Sequence, residues 1–321
     1  MEFIPLTEDQ LRQYIDAEAG FTAMEQARQA ASEVRGTMFW RQDRGHAYLV
    51  RANSAAKQTR LGPKTPETEA IHARFNERKS QLESRLVTLK ETVLRHERLN
   101  RALRVGRCPA ILVAILQRFE QYGLSSHLLT VGTHALYAYE AAAGVRVAPQ
   151  ALATQDVDVL LDTRKRVTFF SRMEEADISF LDILRKADKT FEVRTDQLQT
   201  AVNAHGFEVD VIRRDARDED PHPLRMSHKE HDLWAVQVSS GSRMLGAERF
   251  SQVVVASNGA MARMTTVSPA AFVKIKRALS TSRTRDPLKK SKDALQADIA
   301  QELMDEFMVG LRTKPSGEQA V

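Results

Sequence analysis

The spacing of apolar residues changes character several times along the chain, and each change predicts a different element. Residues 5–35 set Leu11, Tyr14, Ile15 and Phe21 among Ala, Glu, Gln and Arg, a helical pattern. The next stretch, TMFWRQDRGHAYLVRA, alternates apolar and polar residues around Asp43-Arg44-Gly45 and predicts a β-hairpin. LGPKTPE, with two prolines, reads as a loop. Thr68-Glu69 opens a long helix in which Leu82, Leu86, Leu89 and Val93 fall at four- and three-residue steps. These make a narrow apolar seam with charged flanks, which needs a partner helix from this chain or another.

Beyond Arg107-Cys108-Pro109 a core-like helix carries Ile111, Leu112, Ile115, Leu116 and Phe119 and stops at Gly123. HLLTVGTHALYAYEAAAG then reads as strand, tight turn at Gly132, and alanine-rich helix. TQDVDVLLD and FEVDVI are two further strands, and the stretch between them, 164–205, reads as mostly helical. Residues 214–231, charged and rich in histidine, read as a loop. VVVASNGAMARMTTV predicts a hairpin around Asn258-Gly259, and Ser268-Pro269 predicts a helix N-cap followed by proline in the first turn. That helix should run to about Ser282, a second should cover 286–311, and the tail TKPSGEQAV should fray. The expected fold class is α+β: an N-terminal helix and hairpin extension (1–105), a mixed core (106–266) and a C-terminal helical region (267–321).

Composition narrows the picture. With 42% hydrophobic and 28% charged residues, the chain is balanced like a soluble globular protein and not like a disordered one. No apolar run approaches the roughly 18–20 residues of a bilayer span. The start MEFIPLTEDQ lacks a secretory pattern, and Cys108, the only cysteine, forbids an internal disulfide. A cytoplasmic location and no membrane partner are the expectations. The net charge of +5 is compatible with a phosphate-rich partner.

The chemistry begins at Asp156 and Asp158. In a strand, residues two apart share a face, so these carboxylates project together while Val157, Val159 and Leu161 face the core. Two like charges so close disfavour each other's ionisation, and a divalent cation removes that penalty. Mg²⁺ takes one or two protein carboxylates and completes its shell with substrate phosphates. Asp210 lies in the second strand, F-E-V-D-V-I, with the same flanking. It adds a third carboxylate, either to hold a second metal or to act as base for an attacking hydroxyl. Upstream, Gly132-Thr133 opens a helix. Glycine lets the backbone approach a phosphate, the helix N-terminus offers unpaired N–H groups, and the Thr133 hydroxyl adds a donor.

Each part alone is ordinary; their order is not. Strand–Gly-Thr–helix, then D-x-D, then x-D-x resembles the DNA polymerase β nucleotidyltransferase superfamily. More narrowly it resembles a bacterial family of nucleotidyltransferase-fold proteins, mostly uncharacterised. The matching stretches include VGTHALYAYEAAAGV, LATQDVDVLLDTR, GFEVDVIR, RFSQVVVASNG, SPAAFVKIKRALSTSR and KKSKDALQA. The resemblance covers most of the chain outside 214–245. It departs in two places: the interval from Gly132 to Asp156 is longer than in the smallest members, and Thr133 replaces a commoner serine or glycine.

The resemblance implies a metal-dependent site holding Mg²⁺ or Mn²⁺ on Asp156, Asp158 and Asp210. An NTP, ATP among them, would serve as donor, and an NMP would pass to an acceptor. It also implies a lysine, from a helix after the sheet, that reaches the triphosphate; Lys276 in K-I-K-R-A-L fits, with Arg283 second and Asp293 to orient it. A nucleic-acid acceptor such as tRNA, and a role as toxin or defence component with an antitoxin, are implied in the same way. The alternative is a catalytically inactive nucleotide- or nucleic-acid-binding module. The 67–104 helix is the candidate surface for a homo-oligomer. Arg164, Lys165, Arg166, Arg213 and Arg214 follow the aspartate strands and are candidates to hold an acceptor backbone. His222, His228 and His231 are too irregularly spaced for a metal site.

Overall fold

The computed structural model describes residues 3–53, 57–217 and 220–308. The predicted tail and the end of the last predicted helix lie outside them. The chain forms two compact units, Arg12–Ala102 and the remainder.

In the first unit, helices Glu8–Glu33 and Pro66–Leu103 run antiparallel, since Gln13 donates to Asn100 (2.9 Å) and Arg78 pairs with Glu33 (3.0 Å). The first helix buries Tyr14, Ala17, Phe21, Met24 and Ala27. Along the second, the predicted seam of Leu82, Leu86, Leu89 and Val93 is half-buried to buried. The predicted hairpin is present as Thr37–Asp43 and His46–Ala52. A third strand, Gln58–Pro63, corrects the loop reading of LGPKTPE: its first three residues complete an antiparallel sheet. Pro63 is tolerated there because an edge strand has one side that makes no ladder bonds.

The second unit is built on a seven-stranded sheet. Asp156–Leu161 lies between Leu128–Val131, antiparallel, and Glu208–Arg213, parallel. Alternation explains both central strands: Val157, Val159, Val209 and Val211 are fully buried, while the acidic residues between them face the other way. The parallel pairing demands a crossover, supplied by helices Arg166–Glu175 and Phe180–Ala187. The 164–205 reading as mostly helical is corrected beyond Ala187: Glu192–Val193 and Thr200–Val202 are strands, and the latter pairs with Glu208–Arg213. Trp234–Gln237 adds another strand, and Leu224–Arg225 interrupts the predicted 214–231 loop. The hairpin Arg249–Val255/Met261–Val267 turns where expected. Ser268 caps helix Pro269–Ser280 by accepting from Ala271 N–H, and this helix packs on Pro287–Glu306. The fold is α+β, as the sequence pattern implies.

Candidate active site

Register assembles the acidic face. Asp210 lies opposite Asp158, and Glu208 opposite Asp156. Opposed residues on paired strands point to the same side. Four carboxylates therefore share one face of the sheet, not the three that the sequence reading assembled. Glu208 carries the same i, i+2 signal relative to Asp210 as the D-x-D pair, so the pattern could have revealed it. Arg194 answers its charge at 2.7 Å.

The other three differ in their surroundings. Asp156 accepts from the Thr154 hydroxyl and Asp210 from the Thr200 hydroxyl. Burial opposes ionisation of Asp156, but Thr154, the Asp156 main chain and Lys292 hold its carboxyl below its ordinary value. Asp210 is raised, by burial first. Asp158 is pushed up to about 7 by burial, then by the charges of Asp156 and Asp210; Lys276 and Arg285 act against the shift.

Gly132 stands beside Asp158 because the preceding residue, Val131, is its ladder partner. Its φ is +70°, and a Cβ there would lie 2.4 Å from Asp158 Oδ2, so both the conformation and the space require glycine. A short 3₁₀ turn, Gly132–His134, leads into helix Ala135–Ala143. The Thr133 hydroxyl accepts from Gln296 (3.0 Å), and Gln296 also donates to Ala151 O (2.7 Å), which ties this turn to helix Pro287–Glu306. His134 is buried, and burial depresses its ring to about 4, so it is neutral at pH 7.

Across the cleft, Lys276 is buried and donates to Asp293 (2.7 Å). Arg285 donates to the other oxygen of Asp293 at 2.9 Å. The expected Lys276–Asp293 pair is thus present, with two cations on one carboxylate. Arg285, not Arg283, joins it. Arg283 is exposed in the turn between the two helices, and its two-residue distance from Arg285 gave the sequence reading no basis for choosing. A cavity of about 310 Å³ connects these groups: Gly132, Asp158, Lys276 and Arg285 line it, together with apolar Ile212, Val267, Phe272 and Ile275.

The basic runs do not line this cavity. Asp156 and Asp158 open their strand, whereas Arg164–Arg166 follow its other end, in a turn beyond Leu161, which is itself about 10 Å from Asp158 at strand rise. Arg164 is held by Asp162 (2.8 Å), Lys165 donates to Ser126 O (2.9 Å), and Arg166 and Arg214 converge on Asp220 at 2.9 and 2.6 Å. Arg213 is buried, with His222 at 2.8 Å from Nη2. Three of these five residues, Arg164, Arg166 and Arg214, are thus paired with the carboxylates of Asp162 and Asp220, while Arg164 and Lys165 remain exposed.

Among the described residues, no three His, Cys, Asp or Glu side chains stand in a metal-holding arrangement. The Asp156 and Asp210 carboxyls are turned onto threonines, and Asp158 points at Gly132. The donor set is nevertheless all hard oxygen, and it carries the repulsion that a cation relieves; one or two carboxylates with substrate phosphates suffice for Mg²⁺. Buried Cys108, its thiol pushed up by burial, plays no part.

The chain belongs to a nucleotidyltransferase family, whose sequence model matches residues 111–316. Those residues contain the whole acidic face, the Gly132 turn and both helices that bring Lys276 and Asp293. No curated protein and no solved structure matches the chain. Among the described residues, no helix is long and apolar enough to cross a membrane.

Proposed function

We propose that this nucleotidyltransferase moves a nucleoside monophosphate from an NTP to an acceptor hydroxyl, in a site of the DNA polymerase β superfamily kind. The observation that carries this reading is Asp158, which stands in register with Asp210 and lines one cavity with Gly132, Lys276 and Arg285. Asp156 and Asp158 would hold Mg²⁺ or Mn²⁺. When bound, that ion supplies Lewis-acid neutralisation of the triphosphate.

The chain's own groups do the rest. Main-chain N–H groups after Gly132 approach the phosphates at the opening of a helix. Lys276 and Arg285 meet the negative charge that grows on the departing pyrophosphate. Asp210, raised by burial and close to Asp158, accepts the acceptor's proton as its oxygen attacks the α-phosphorus. The apolar wall of Ile212, Val267 and Phe272 excludes water that would otherwise compete as acceptor.

The test is incubation with each labelled NTP, Mg²⁺ or Mn²⁺, and separate RNA and protein fractions. Label transferred by the wild type and lost in Asp156→Ala/Asp158→Ala supports the reading. NTP binding without transfer to any fraction would favour a binding module instead.

A further inference from the structure

The chain's positive charge is concentrated in one segment. Residues 35–64 contain seven Lys and Arg and one acidic residue, Asp43, a surplus of six; the whole chain, 47 cations against 42 anions, has a surplus of five. Everything outside that segment therefore sums to minus one. The segment is the three-stranded sheet of the Arg12–Ala102 unit, and its two faces differ in kind.

One face is occupied from within the unit. Trp40 lies against His72 with ring centroids 5.7 Å apart, and Arg51 stacks on Phe75 at 4.1 Å. The other face carries Phe39, Arg41, Tyr48 and Arg60. Phe39 pairs with Val50, which pairs with Arg60, and Arg41 pairs with Tyr48, so all four project together. Arg60 lies over Tyr48 at 3.0 Å and Arg41 near Phe39 at 5.7 Å. Thr37, Arg41, His46 and Arg60 are exposed, and Phe39 and Tyr48 are half-exposed. The one carboxylate, Asp43, stands 4.0 Å from Arg60 with both side chains more than half exposed, too weak a pair to neutralise the face.

We infer that this face of the sheet binds single-stranded RNA. Aromatic rings and guanidinium planes on an open sheet stack unpaired bases, and the same cations hold the phosphates between them. Phe39 and Tyr48 are diagonal neighbours on adjacent strands, roughly 7–8 Å apart at the backbone, so one base can stack on Phe39 and the next on the Arg60 guanidinium that covers Tyr48. A duplex keeps its bases stacked on one another and cannot use those rings. Thr37 and His46 supply polar groups at the two ends of the face for ribose 2′-hydroxyls, which DNA lacks. This site is independent of the transfer reaction and is read without NTP or metal.

The experiment titrates labelled oligo(U) RNA against the full chain at several salt concentrations, beside oligo(dT) and a duplex DNA. Wild type should bind the RNA with a log–log salt slope of about −0.7 per phosphate contacted, and Arg41→Gln/Arg60→Gln should flatten that slope by roughly 1.4. Phe39→Leu/Tyr48→Leu should weaken binding about 5- to 150-fold per base while leaving the slope intact. Lys186→Gln/Lys189→Gln, an equal charge change at exposed sites of the other unit, should leave binding as in wild type. Absence of RNA binding at low salt, or equal losses in the Lys186/Lys189 control, overturns the inference. So does duplex or oligo(dT) binding as tight as that of oligo(U). The Arg-to-Gln changes lie on the surface, so a circular dichroism melt matching wild type separates lost binding from lost folding.

Discussion

Asp158 occupies the space that a side chain on Gly132 would need: a Cβ there would come within 2.4 Å of its Oδ2. The Gly132 turn and the central carboxylate are thus one packed unit. Gly132→Ala should cost about 1–3 kcal/mol of stability, partly from its left-handed backbone and partly from the contact. In an Asp158→Ala background the contact component disappears, so a double-mutant cycle by thermal melts should show coupling between the two positions. Simple additivity would mean that the turn relaxes independently of Asp158.

The titration of Asp158 predicts a pH signature. Its folded value, about 7, lies above that of an unfolded aspartate. The stability it contributes is therefore full below about pH 4 and is lost as pH rises through about 7. Asp158→Asn removes that loss. Without divalent cations the wild type should melt progressively lower from pH 5.5 to 8, and the variant should be flatter and roughly 1–3 kcal/mol more stable at pH 8. Mg²⁺ at pH 8 should raise the wild-type midpoint and leave Asp156→Asn/Asp158→Asn unmoved. Parallel pH curves for wild type and Asp158→Asn would count against this account.

The Lys276–Asp293–Arg285 cluster separates catalysis from stability. Lys276→Ala leaves Arg285 on Asp293, so it should fold and lose roughly 10²-fold in transfer rate. Asp293→Ala strands two cations and should cost about 3–5 kcal/mol. Arg285→Ala should slow transfer while Arg283→Ala stays near wild type; the reverse order in steady-state rates would put Arg283 at the phosphates after all.

Arg164 and Arg166 are committed to Asp162 and Asp220. Arg164→Ala/Arg166→Ala should lower the melting point and leave the salt slope of RNA binding unchanged. A flatter slope in this variant would return these residues to the acceptor path.

Much of this protein was legible in local pattern. V-D-V-L-L specifies a strand and its acidic face because side chains alternate with period two. Ser268-Pro269, Gly123 and Asn258-Gly259 mark a cap, a stop and a turn through the conformations those residues prefer. Even the Lys276–Asp293 pair was expected, although on resemblance and not on spacing.

Other features depended on which distant segments meet. Nothing within F-E-V-D-V-I says that Asp210 will lie opposite Asp158; the parallel pairing of two strands some fifty residues apart decides it. Thr200–Val202 is too short to declare itself, and Gln58–Pro63 ends in a Gly-Pro pair that signals a loop; each becomes a strand because a neighbour offers unpaired backbone. Charge was the least readable. In the sequence, Arg164, Arg166, Arg213 and Arg214 stand beside the aspartate strands as candidates for phosphates, whereas Arg41 and Arg60 lie in a segment with no such marker. The folded chain pairs Arg164, Arg166 and Arg214 with its own carboxylates, buries Arg213 beside His222, and leaves Arg41 and Arg60 on an exposed sheet face, because a cation's surroundings depend on neighbours that only tertiary structure supplies.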